Sequence, residues 1–229
     1  MQHKVVSRDE WLVARNALLA QEKELTRARD RLSARRRELP WVRLDKSYVF
    51  EAPEGKVRLA DLFGGRSQLV VKHVMMAPGQ KHQCVGCAFE LDHVGPALVH
   101  LENHDVSYVA IAPAPLAEIE PYKRRMGWRF TWVSSHGSDF SSDFGAPPGF
   151  PRGPVHTVFY RNPDGEIFHT YSAFGRGAEE VMTTYMYLDL TPKGRDEPDR
   201  GNLTEWVRPH DRYGAGGSVD TTGRYKPEG

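Results

Sequence analysis

The chain has 229 residues, a formal net charge of +1 at pH 7 and a hydrophobic fraction of 39%. So even a charge balance gives no general pull toward nucleic acid or an anionic membrane surface, and no run of about 18 apolar residues is present to span a bilayer. The apolar and aromatic content suffices for a packed core. The N-terminus lacks the apolar stretch of a secretory signal, so a cytoplasmic protein is expected.

Residues 7–39 are predicted to form one long helix. Ser7 and Glu10 make a capping box at its start, and Pro40 ends it. Trp11, Leu18, Leu25, Leu32 and Leu39 recur every seven residues. Such a narrow apolar stripe needs a covering surface, either the domain itself or a second subunit, and a homodimer is the expected assembly. The arginines between 27 and 37 read as a solvated face relieved by acidic neighbours rather than a nucleic-acid arm.

Tyr48–Phe50 and Val57–Leu59 flank a turn and predict a hairpin. Residues 61–66 make a short helical turn closed by glycines. Residues 69–75 form a Val-rich strand of buried type. A helix follows over 84–103, a strand over 106–112, a helix over 117–126 and an aromatic strand over 128–133. The segment 134–154 is a long loop. Its Ser134-Ser135-His136 invites a nucleophile–base reading, but adjacent residues rarely face each other, so a lid is the more economical one. Strands 155–161 and 166–171 flank the turn Asn162-Pro163-Asp164-Gly165. A closing helix spans 177–188. The polar, glycine-rich end, above all the last residues, is expected to be mobile.

The chemistry concentrates in Cys84-Val85-Gly86-Cys87, which holds both cysteines of the chain. A strand, a loop and Cys-x-x-Cys at a helix start is the layout of a thioredoxin-type site. Cys84 would meet unpaired backbone N–H groups that favour a thiolate. Cys87, three residues on, lies on the same helix face. In a dithiol mechanism Cys84 attacks and Cys87 resolves, with no cofactor. The alternative for the pair is two small buried hydrophobes.

Histidines give a second reading. His82 and His93 bracket the motif, His73 lies on the preceding strand and His156 starts the first strand of the second hairpin. If Pro154 is the cis-proline that faces the cysteines in such folds, His156 is structural. If His156 faces them instead, two thiolates and an imidazole converge. That set suits Cu(I), or zinc with His82 as a fourth ligand. A copper site of this kind could activate O₂ for oxidation of a small organic substrate. Met75 and Met76 are candidate soft ligands but better read as core. His100, His104 and His210 read as surface groups. Phe140, Phe144, Trp128 and Trp132 line either a pocket beside Cys84 or the core. A third reading is a non-catalytic interaction module built on the N-terminal helix.

Arg125–Trp128, Ser134–Phe140, Asp143–Gly145, Phe168–Ser172 and Tyr187–Arg195 carry a resemblance. Over roughly residues 5–212 the chain resembles a widespread bacterial thioredoxin-like family of unknown function. That family is distantly similar to the peroxiredoxin (alkyl hydroperoxide reductase/thiol-specific antioxidant) group. The resemblance implies a thioredoxin fold with the motif matched by Cys84 and Cys87, and no established substrate. Ala88 departs from the family's serine, and the histidines at 82, 93 and 156 are also departures, which raise the metal reading. His169 falls within a shared run. The expected architecture is α/β and thioredoxin-like, with a helical arm over 1–43, the thioredoxin-like domain over 44–190 and an irregular polar tail over 191–229. The expected substrate is a small molecule or a thiol.

Overall fold

Helix formation begins where the sequence places it. In the computed structural model, which describes residues 3–149, 152–198 and 204–228, α1 spans Arg8–Arg37. Its capping box is present: the Glu10 N–H donates to Ser7 Oγ at 3.2 Å, and the Ser7 N–H donates to Glu10 Oε2 at 2.9 Å. Asp9 and Glu10 at its start, and Arg35, Arg36 and Arg37 at its end, complement the helix dipole. The heptad-spaced stripe lies exposed, Leu25 at 62%. The chain divides into two compact units, residues 1–40 and 41–229.

The second unit runs β1 (Val42–Arg43), β2 (Val49–Ala52), β3 (Gly55–Arg58), β4 (Gln68–His73), α2 (Val85–Leu91), α3 (Leu98–Asn103), β5 (Val106–Ala112), α4 (Leu116–Arg125), β6 (Thr131–Ser134), α5 (Phe140–Asp143), β7 (His156–Arg161), β8 (Ile167–Ala173), α6 (Thr183–Leu188), β9 (Ser218–Val219) and β10 (Tyr225–Lys226). Eight strands form one sheet in the order β1-β8-β7-β4-β5-β6-β2-β3. Strands β4, β5 and β6 are parallel neighbours, joined by helical crossovers as parallel strands require. The β7–β8 hairpin lies antiparallel beside β4 and leads to α6. This is the thioredoxin arrangement, a parallel βαβ unit beside an antiparallel hairpin and a closing helix.

Side-chain alternation divides the interior. Leu69, Val71, Val109, Ile111 and Phe159 point to one face of the sheet, where Phe50, Phe63 and Phe140 cover them. Val74, Ala110, Ala112 and Trp132 point to the other, where they meet Cys84, Cys87 and Ile119. Each of the larger side chains withdrawn from water contributes on the order of 1.5–3 kcal/mol.

Three local readings change. The helix expected over 84–103 is broken: α2 ends at Leu91, a 3-10 turn spans Gly95–Ala97, and α3 restarts at Leu98. Pro96 explains the interruption, because it has no N–H to donate and disfavours a helical Gly95. The long loop 134–154 carries the short helix α5, which buries Phe140. The tail carries regular structure within residues 204–228. β9 and β10 pair antiparallel, and Tyr225 is buried with Val85, Phe89 and Val207.

Candidate functional site

The site is built where β4 ends and α2 begins. Strand β4 is flanked on both sides, by β5 and β7, and alternation sends Lys72 and Val74 toward α2 while Val71 and His73 point the other way. The Val74 N–H donates to Ile111 O at 2.8 Å, which holds the chain against β5 as it leaves the sheet. The loop returns to Cys84, whose extended backbone makes it the N-cap of α2. Its sulfur accepts from the Cys87 N–H at 3.4 Å. Cys87 is one turn in, and its sulfur accepts from the Met75 N–H at 3.5 Å. Both cysteines are free thiols, and both are buried.

The two sulfurs are electrostatically unlike. The Cys87 thiol donates to Cys84, and this outweighs burial; the Cys87 N–H, the Lys72 charge and the Gly86 N–H add to it. Together they lower the Cys84 thiol to about 6. At neutral pH the thiolate of Cys84 is therefore favoured relative to that of an ordinary thiol. The same contact, with burial and the negative charge on Cys84, pushes the Cys87 thiol well above its ordinary value. One sulfur is favoured as thiolate and the other keeps its proton.

Under the cysteines lies a buried set of ionisable groups. Lys72 Nζ is 2.6 Å from Glu90 Oε2, with both side chains 2% exposed. His156 Nε2 is 2.7 Å from Glu90 Oε1. Burial opposes both the Lys72 and the Glu90 charge, but their attraction prevails, holding the ammonium above its usual range and the carboxyl below. Glu90 follows Cys87 by three residues and so shares its helix face. The pair therefore sets a fixed ammonium close to the dithiol.

On the opposite face His73 starts a hydrogen-bonded chain. Its Nε2 is 2.8 Å from Thr157 Oγ1, Thr157 Oγ1 is 3.2 Å from Ser172 Oγ, and Ser172 Oγ is 2.9 Å from His169 Nε2. The His73 ring stacks on Phe140. Burial, then the Lys72 charge, push His73 down to about 3. Unfolded histidine gains its proton near pH 6.5, and His73 in the fold only near 3. Its contribution is therefore present above pH 6.5 and is lost as pH falls toward 3. Between pH 7 and pH 5 that loss is about 2 kcal/mol. Urea unfolding at the two pH values should show the wild type losing about that much more than His73→Phe. Equal losses would mean that His73 is already protonated in the fold at pH 5.

A cavity of about 850 Å³ opens onto Cys84, Cys87, Lys72, His73 and Glu90. Its apolar wall includes Met75, Phe89, Phe144, Met182 and Tyr185.

Residues 1–213 match a family described as a bacterial protein of unknown function, DUF899. This chain belongs to that family. No match to it is found among curated proteins. Among solved structures, similarity is found to a peroxidoxin from Mycobacterium tuberculosis (16% identity, TM-score 0.42, covering 61% of this chain and 91% of that one). It is also found to the mitochondrial 2-Cys peroxiredoxin from Plasmodium falciparum (14%, 0.41, 62% and 88%). A thiol:disulfide interchange protein from Bacteroides sp. is similar at 12% identity, TM-score 0.41, with 65% and 90% covered.

Within this DUF899 chain the predicted site residues separate. Cys84 and Cys87 stand together at the cavity. His156 Nε2 lies 2.7 Å from Glu90 Oε1. His82 shares no ligand set with the cysteines. Among the described residues no group of three or more His, Cys, Asp or Glu is arranged to hold a metal ion. The copper and zinc reading of Cys84, Cys87, His156 and His82 therefore finds no such group among the described residues. Pro154 is not the cis-proline, since the described residues contain no cis peptide bond.

Other residues find structural employment. His93 bridges Phe89 O and Thr184 Oγ1. His210, read as a surface group without a partner, meets Asp92 at 2.7 Å. Ser134 donates to Ala114 O and accepts from the His136 main-chain N–H, and Ser135 contacts Ser141. Met76 is core, whereas Met75 is 44% exposed at the cavity. Phe144 lines that cavity, while Trp132 and Phe140 are core. No helix among the described residues is long and apolar enough to cross a membrane.

Sequence reasoning missed Lys72 and Glu90. A signal existed: a lysine inside the Val-rich run 69–75, and a glutamate one turn after Cys87 in an apolar helix. Buried charges of this kind need a partner.

Proposed function

We propose that this protein is a dithiol oxidoreductase in which Cys84 is the nucleophile and Cys87 the resolving thiol. The observation that carries the reading is the placement of the pair, Cys84 at the N-cap of α2 with its sulfur accepting from the Cys87 N–H at 3.4 Å; the lowered Cys84 thiol and the raised Cys87 thiol agree with it. The cavity lined by both cysteines supports it.

With a hydroperoxide, the Cys84 thiolate attacks the terminal oxygen. An S–O bond forms as the O–O bond breaks, the hydroperoxide's own proton stays on the sulfenic acid, and the departing alkoxide takes a proton from solvent to leave as the alcohol. The Cys87 sulfur then attacks the Cys84 sulfenic acid, forming the disulfide, and the Cys87 proton departs with the hydroxyl as water. With a disulfide, Cys84 forms a mixed disulfide and expels one thiolate, and Cys87 expels the second. Either substrate gains two electrons. Two equivalents of a low-molecular-weight thiol return the pair to the reduced state.

Iodoacetamide alkylation followed by mass spectrometry tests the reading. The reduced protein should lose one thiol, Cys84, at a rate that rises through a midpoint near pH 6 and levels off above it. After mild oxidation neither cysteine should react, because an intramolecular disulfide has formed. A midpoint near that of an ordinary thiol, or two alkylatable cysteines after oxidation, would rule the reading out.

A further inference from the structure

The last segment of the chain is folded over the nucleophile. The Val85 N–H donates to Gly223 O at 2.9 Å, and the Tyr225 N–H donates to Gln83 O at 3.1 Å. Cys84 itself pairs with Arg224 as an antiparallel bridge. The main-chain groups on both sides of Cys84 are therefore taken by the β9–β10 hairpin. Tyr225, 7% exposed, packs into the cluster of Val85, Phe89 and Val207. Arg224 reaches Gln80 in the loop that precedes the motif.

We propose that this hairpin roofs the dithiol and limits its substrates to low-molecular-weight, largely apolar oxidants, excluding protein disulfides. The inference rests on the dithiol reading. Disulfide exchange needs the attacking sulfur in line with an S–S bond, and a protein disulfide brings a folded surface with it. Cys84 is 6% and Cys87 5% exposed, and the hairpin residues Val219, Asp220 and Gly223 share the wall of the cavity with them. An extended partner segment pairs with free main-chain groups at an edge, and those beside Cys84 are occupied. What reaches the sulfurs is the cavity of about 850 Å³, within the range of roughly 300–1,000 Å³ that suits a small molecule. Phe89, Phe144, Met182 and Tyr185 in its wall favour an apolar substituent.

The hairpin can be disturbed at two positions, Gly217 and Tyr225, that do not themselves line the cavity. Gly217 has φ +82, and a Cβ there would lie 2.6 Å from Lys226 O and 2.7 Å from the Tyr225 hydroxyl. Gly217→Val therefore cannot keep the hairpin as it is. Tyr225→Ala, which removes the buried anchor, is the second variant should the first fail to fold.

The test is the rate at which the reduced full-length chain forms the Cys84–Cys87 disulfide with cumene hydroperoxide, diethyl disulfide or insulin. At least one small oxidant is expected to react about 100-fold faster than insulin, because a protein disulfide must wait for local opening. The two small reagents tell peroxide from disulfide chemistry. In the variants the insulin rate should rise about 10-fold, with the small-oxidant rate held within about 3-fold. Insulin matching the small oxidants in the wild type would overturn the inference and leave the dithiol reading standing. So would an unchanged insulin rate in a variant whose hairpin has become protease-sensitive. No disulfide with any of the three would overturn the dithiol reading, and this inference with it.

Discussion

Glu90→Leu is expected to destabilise the fold by roughly 3–5 kcal/mol, the usual cost of leaving one member of a buried ion pair without its partner. Leucine keeps most of the glutamate's volume, so the loss is electrostatic more than steric. Lys72 has its ammonium 2.6 Å from the Glu90 carboxylate and is 2% exposed, so water cannot replace the lost partner. Lys72→Met should be costly for the mirrored reason, softened because His156 also faces Glu90. The double variant removes both charges and should recover much of the loss, giving a coupling of opposite sign to the single effects. Urea unfolding of the four proteins at pH 7 checks this. A single-variant cost below about 1 kcal/mol, or a double-variant cost equal to the sum of the singles, would show that the pair is not buried and coupled.

A motif confined to one short segment was readable from the sequence, and an interaction closed across the sheet was not. Cys84 and Cys87 lie in one local stretch, so spacing and the helix start were enough to place them. The capping box at Ser7 and the turn at Asn162–Gly165 are local in the same way. Lys72 and Glu90 are 18 residues apart, and neither signals the other. A lysine in a strand is exposed by default, and only α2 packing over β4 makes Lys72 interior. His156 was placed at its strand start, but the direction of its ring depends on Glu90, which sequence spacing does not link to it. The C-terminal hairpin was hidden by composition. Its polar, glycine-rich residues lack the apolar alternation of a strand. It is anchored instead by Tyr225 and by main-chain bonds to Gln83 and Val85. Such bonds leave no mark on the side-chain pattern.

Cys84→Ser should bring turnover with any competent oxidant to the background rate, a loss on the order of 10³-fold or more. The serine hydroxyl stays protonated where the thiol is lowered to about 6, and it cannot form the disulfide. Cys87→Ser should behave differently. The nucleophile remains, so the first chemical step proceeds and stops at an unresolved sulfenic acid or mixed disulfide on Cys84, visible by mass spectrometry. That first step should also slow near neutral pH, because the Cys87 thiol is the largest contributor to lowering Cys84. A serine hydroxyl is a shorter donor set farther from the sulfur. The pH at which Cys84 alkylates should therefore move up in Cys87→Ser. Lys72→Met should move it the same way by removing the nearby cation, so the two variants test separate parts of one electrostatic arrangement. Turnover surviving in Cys84→Ser, or an adduct trapped on Cys87 in place of Cys84, would reverse the assignment of nucleophile and resolving thiol.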